Sequence, residues 1–205
     1  MAEDPLGALR MKNDIQDADP VLPMIPVKPN NAIPATIAVL LLLGSLFMLY
    51  SAYSNLSADP PSSAELEEMA EQFNAAGANT SGAELEQFFQ ELDDAGYFTT
   101  LGLIEVVASL TLWGGSILFF LRDRRGVWVG AAGGTLVMVD AIYGLITMLG
   151  LSEGYDPLIS TTFKVTAGLG LGCGIICIAL PFIPLLFAAG RAALHKPVSL
   201  VTEAE

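Results

Sequence analysis

Four apolar stretches, 33–53, 98–121, 127–150 and 158–187, dominate the chain. A helix needs roughly 20 apolar residues to cross the hydrocarbon layer, and each stretch reaches that length. Inside lipid every backbone N–H and C=O must find its partner within the protein, which leaves the α-helix as the solution for such runs. The chain therefore reads as an all-α integral membrane protein. Four transmembrane helices form a bundle, with an extracytoplasmic amphipathic helical hairpin at 54–97 between the first and the second. Composition agrees. Only 15% of the 205 residues are charged, against about 25% in ordinary soluble domains. Little chain remains for an appended soluble enzyme.

The connections carry the charge, and they are sorted by sign. Residues 54–97 hold ten acids and no Lys or Arg, and the loop at 151–157 holds Glu153 and Asp156. Bases occupy the other side: Arg10, Lys12 and Lys28 in the tail 1–32, Arg122, Arg124 and Arg125 in the turn 122–126, and Arg191 and Lys196 in the tail 188–205. Under the positive-inside rule both termini and the arginine turn are cytoplasmic and the acidic segments are outside. The first apolar run starts only at Ile33 and is longer than a signal-peptide core, so it reads as a retained anchor in the cell membrane. The acidic balance argues against nucleic acid as a partner. In the N-terminal tail Pro20, Pro23, Pro26 and Pro29 recur every three residues. That is the period of polyproline II, and Pro23 to Lys28 fits an SH3-ligand pattern; a stiff spacer is the favoured reading.

The acidic segment 54–97 contains a repeat of 19 residues, in which Ser62–Gly77 and Ser81–Gly96 share seven of 16 positions. Each copy opens on a capping box, Ser62 with Glu65 and Ser81 with Glu84, and closes on a glycine suited to a left-handed helix end. Leu66, Met69 and Phe73 in one copy and Leu85, Phe88, Phe89 and Leu92 in the other recur at helical spacing. Forty residues make a thin core by themselves. Leu85, Phe88 and Leu92 are therefore expected to offer a surface to the membrane or to a partner protein. Asn79 begins an Asn-Thr-Ser glycosylation pattern and Asn55 an Asn-Leu-Ser one, with Asn79 the better placed because Asn55 lies almost against lipid.

Three charges fall inside the spans: Glu105, Asp140 and Lys164. Each costs about 2.5–3.5 kcal/mol on insertion scales, so each needs a reason. Counted from the acidic ends of their segments they lie about seven, nine and six residues deep, which at ~1.5 Å per residue is nearly one level. Small residues share their helical stripes, which turns the charges toward other helices. Together with Tyr143 they form the expected intramembrane cluster, either a structural ion pair or a relay or ligand pocket. Lys164 reaching out to headgroups is the third possibility. Gly130 with Gly134 and Gly168 with Gly172 are the expected helix-packing positions; Gly170 with Gly174 has the same spacing. Cys173 and Cys177 share one helix face deep in lipid and read as small packing residues, with no metal, cofactor or catalytic constellation implied.

Two functions follow as expectations. The first is a non-enzymatic, multi-pass accessory subunit of a membrane complex, meeting another membrane protein or a second copy through the acidic hairpin. The second is a small transporter, channel or sensor that uses Glu105, Asp140 and Lys164.

Overall fold

The computed structural model describes residues 27–57, 60–152 and 154–194. Most of the proline-rich tail with its SH3-like pattern, and the chain from His195 onward, lie outside the described residues. The helices are α1 (Ala32–Ser57), α2 (Ser63–Ala75), α3 (Gly82–Asp94), α4 (Tyr97–Phe120), α5 (Arg125–Leu151) and α6 (Pro157–Ala179). A 3-10 turn (Leu180–Phe182), α7 (Ile183–Leu186) and α8 (Ala188–Ala193) follow. The fold is all-helical, and four segments are long and apolar enough to cross a membrane: α1, α4, α5 and the run Pro157–Leu186.

Local signals set the helix ends. Both capping boxes form. In α2 the Ser62 amide donates to Glu65 Oε2 at 2.8 Å and the Glu65 amide donates to Ser62 Oγ at 3.4 Å. In α3 the Ser81 amide donates to Glu84 Oε2 at 2.9 Å and the Glu84 amide to Ser81 Oγ at 3.3 Å. The bonds from the Ser62 side chain and then its backbone hold the Glu65 carboxyl below its usual range. Gly77 and Gly96 close the two copies with φ of +102° and +66°, which a residue with a Cβ adopts only under strain. At the opposite end of the molecule Arg122 takes φ +56° and ends α4, while Asp123 Oδ1 accepts the Arg125 amide at 2.9 Å at the start of α5. Pro181 cannot donate to the carbonyl of Cys177, and α6 gives way to the 3-10 turn there.

The long helices pack in chain order, α1 on α4, α4 on α5 and α5 on α6, and α6 makes no broad contact with α1 or α4. Seams of small residues bring the axes together. Ser109 Oγ and Ser116 Oγ on α4 donate to the α1 carbonyls of Ser45 and Ala38 at 2.9 and 2.8 Å. Between α4 and α5, a Cβ on Gly115 would stand 2.9 Å from Gly130 Cα. Between α5 and α6, a Cβ on Gly134 would stand 2.6 Å from the Cys177 carbonyl carbon.

Gly130 and Gly134 lie in these seams, whereas Gly168 and Gly172 do not. Both are exposed, and a Cβ on either would meet nothing within 4 Å. Gly170 and Gly174 face α5 instead, against Ala141 and Met138. Two residues along a helix are about 200° around it, so when one glycine frame faces a neighbour the other faces away.

At the basic end, segment 180–194 folds back under the long helices. Leu180, Phe182, Ile183, Leu185 and Leu194 pack with Ile37 and Leu41 of α1 and with Val127 of α5. At the acidic end, α2 and α3 pack on each other through Leu66, Ala70 and Leu85, and Ile159 of α6 completes that core. Phe88 and Leu92 pack on Tyr97 and Leu101 of α4. Leu85, Phe88 and Leu92 are 2, 1 and 0% exposed. The surface expected to meet a partner is therefore the inside of the molecule, because the spans themselves provide the apolar area that a forty-residue pair lacks. Asp156 fastens the joint: its Oδ1 caps α6 at the Leu158 amide (2.8 Å), and its Oδ2 accepts the Asn79 amide (3.0 Å).

Candidate functional site

Because α5 is the one long helix that α6 packs on broadly among the described residues, a groove of about 280 Å³ runs between α1 and α6, with α4 and α5 as its floor. Its lining is apolar for most of its length, through Phe47, Leu112, Val137 and Gly170 down to Cys177. Two carboxylates, Glu105 and Asp140, stand midway along it, with Tyr97, Leu101, Gly144 and Met148 on their acidic side.

The two acids are held differently. Glu105 is 5% exposed. Ser51 Oγ donates to its Oε1 at 2.6 Å and Asn55 Nδ2 to its Oε2 at 2.8 Å. Ser51 and Asn55 are one turn apart on α1, so one face of that helix supplies both donors. Bonds to a carboxylate are roughly twice as strong as those between neutral groups, and these lock α1 to α4 at this depth. Asp140 has no such support. Its Oδ1 is buried and has no hydrogen-bond partner among the described residues. An unpartnered buried acceptor costs about 1–3 kcal/mol.

No family model matches the chain, and no curated protein and no solved structure is similar to it.

The structure brings together only part of the expected charge cluster. Glu105 and Asp140 share the groove wall, and the Tyr143 ring stacks on Tyr97 at 6.2 Å and 17° just behind it. Lys164 is exposed on α6, away from the groove, and forms no ion pair among the described residues. The expected grouping of three charges is corrected to two acids. The reason is rotational, since Lys164 lies on the stripe of Gly168 and Gly172, which faces away from α5. Lys164 can instead lay its stem along the helix and carry its ammonium toward the headgroups.

Ser51 and Asn55 escaped the sequence reading. The first apolar stretch ends at residue 53, yet α1 runs on to Ser57. The usable signal was their spacing of four, which puts both side chains on one face of the helix. Because the Asn55 amide is committed to Glu105, its glycosylation pattern is blocked in the folded chain. Asn79 is exposed, as a modification site must be.

The acidic end has a second hollow of about 290 Å³, lined by Glu84, Glu91, Tyr155 and Asp156 among others. Burial first, and then the negative charge of Glu91, raise the Tyr155 phenol above its ordinary value. Among the described residues no three acids, thiols or imidazoles converge closely enough to hold a metal ion.

Proposed function

We propose that this chain is a non-enzymatic, four-span protein of the cell membrane that binds a small ligand within the lipid layer, as a transporter or sensor does. The observation that carries the reading is the groove between α1 and α6, with an orphaned Asp140 carboxylate oxygen in its wall. Ionisable groups in a span mark ligand or ion paths by default, because their insertion cost needs a return. Hydrogen bonds to α1 give Glu105 a structural return. Asp140 Oδ1 receives none among the described residues. On this reading the four spans form a bundle that a ligand or lipid completes along the α1–α6 side.

The same proposal places α2 and α3 outside the cell and both termini in the cytoplasm. It rests on eight bases at one end of the spans against none at the other, Lys164 apart. With Ala78, Arg124 and His195 each replaced by cysteine, a membrane-impermeant thiol reagent applied to intact cells is expected to label position 78 alone. Labelling at 124 or 195 from outside would reverse the orientation.

The accessory-subunit reading keeps support from a different surface. Lys164, Gly168 and Gly172 form an exposed stripe on α6, and a Cβ on either glycine would meet nothing within 4 Å among the described residues. Native mass spectrometry after extraction from the source membrane separates the two. One low-mass adduct per chain, lost when Ala167→Phe fills the groove, is the expected result. A stoichiometric protein subunit with no small adduct would favour the accessory role and sink the first reading.

A further inference from the structure

The geometry points to an amphiphilic cation as the ligand class of the α1–α6 groove: an ammonium head seated at Asp140, with an apolar body lying along α5 toward Cys177. The inference rests on the groove being a ligand site.

Three observations set the chemistry. First, the lining carries Glu105 and Asp140 and no Lys, Arg or His, so an anionic head meets two acids and no compensating base. Second, the two acids are not equivalent. Both oxygens of Glu105 already accept hydrogen bonds from α1. Asp140 Oδ1 is buried and accepts none. A group that donates hydrogen bonds and carries positive charge pairs with the Asp140 carboxylate where it lines the groove, whereas a neutral hydroxyl supplies a donor without the charge. Tyr97, which also lines the groove, adds an electron-rich ring face of the kind that attracts ammonium groups.

Third, the shape excludes both a bare ion and a whole lipid. Gly170 stands against Ala141, the neighbour of Asp140, and from there the lining runs seven residues along α6 to Cys177. That is roughly 10 Å at 1.5 Å per residue. The volume of about 280 Å³ lies at the lower edge of small-molecule sites. Beyond the acids the walls are Leu112, Val137, Gly170 and the two thiols, with nothing to hydrate an ion. A single alkyl or aromatic body fills that part. Since α6 leaves α1 uncovered, such a molecule can enter sideways from the membrane without crossing water.

The test uses the full chain in phosphatidylcholine nanodiscs and three probes of equal tail length: n-decylamine, n-decanol and sodium decanoate. Thermal unfolding is followed at matched mole fraction of each probe in the lipid. Decylamine is expected to stabilise the wild type at a concentration about tenfold or more below that needed for decanol, with decanoate weaker still. Asp140→Asn keeps the shape of the side chain and should remove the preference for decylamine while leaving the decanol response. Ala167→Phe should abolish both responses. Equal stabilisation by decylamine and decanol, lost in Ala167→Phe, overturns the cation assignment and leaves the groove as a ligand site. Responses that Ala167→Phe does not alter overturn the groove itself. A decylamine preference that survives Asp140→Asn overturns the seat at Asp140.

Discussion

Replacing Phe88 by Asp is expected to unfold the α2–α3 pair and leave α4 and α5 helical. Phe88 is 1% exposed, and the Tyr155 ring meets its own edge to face at 5.1 Å. Truncating a buried Phe costs about 3–5 kcal/mol, and the carboxylate adds its desolvation to that. A pair of 13-residue helices has no reserve of that size. Proteolysis between residues 60 and 96 should become rapid, while the fragments that contain the spans stay protected by lipid. The damage should also reach α6, because Tyr155 and Ile159 belong to the same apolar cluster around the pair. Thermal unfolding in detergent should therefore shift as well. Digestion at the wild-type rate would mean that Phe88 is not buried, and the account of the joint between the pair and the spans would fail with it.

The second large effect is expected at Gly134. A side chain there collides with backbone, since its Cβ would stand 2.6 Å from both the Cys177 carbonyl carbon and the Ile178 nitrogen. Backbone cannot rotate aside as a flexible side chain does, so Gly134→Leu must push α5 and α6 apart. Overpacking of this kind costs about 1–3 kcal/mol and sometimes more. Gly172→Leu is the matched control, because its Cβ meets open space. The melting temperature in detergent should fall clearly for Gly134→Leu and stay near wild type for Gly172→Leu. The opposite order would show that the outward glycine frame of α6 is the one that packs.

The sequence made some of this structure legible and hid the rest, for physical reasons. The spans follow from the length of apolar runs, and the ends of α2 and α3 from capping boxes and glycines within a few residues of one another. Pro181 announces its own break. These are local signals, and local physics fixes them. The rotation of a helix about its axis is not local. Gly168/Gly172 and Gly170/Gly174 have the same spacing and the same composition, so only the contour of α5 decides between them. Lys164 was misplaced for the same reason, since depth can be counted along the chain but direction cannot. Leu85, Phe88 and Leu92 were legible as an apolar stripe. What the stripe meets depends on Tyr97 and Leu101 being brought beside it, together with Tyr155 and Ile159 from more than 60 residues away. Glu105 was recognised as a group in need of partners, but its partners sit some 50 residues earlier, and one of them, Asn55, lies beyond residue 53, where the apolar stretch ends.

The serial packing of the long helices has a consequence for biosynthesis. Each span finds its main neighbour in the span made immediately before or after it: α1 with α4, α4 with α5, α5 with α6. No span must wait for a distant one, so the protein can be assembled in the order in which the ribosome delivers it, with short loop closures between α4, α5 and α6 and a longer one across α2 and α3. Segment 180–194 is the exception. It joins residues made after α6 to the start of α1, where the Asn30 amide donates to the Ala189 carbonyl at 3.2 Å and Leu194 packs near Ile37 and Leu41. That contact can form only after all four long helices have been made. Until then the first span keeps its basic-end face uncovered, and a nascent chain halted after α6 would hold every long helix in place and still lack its final clasp.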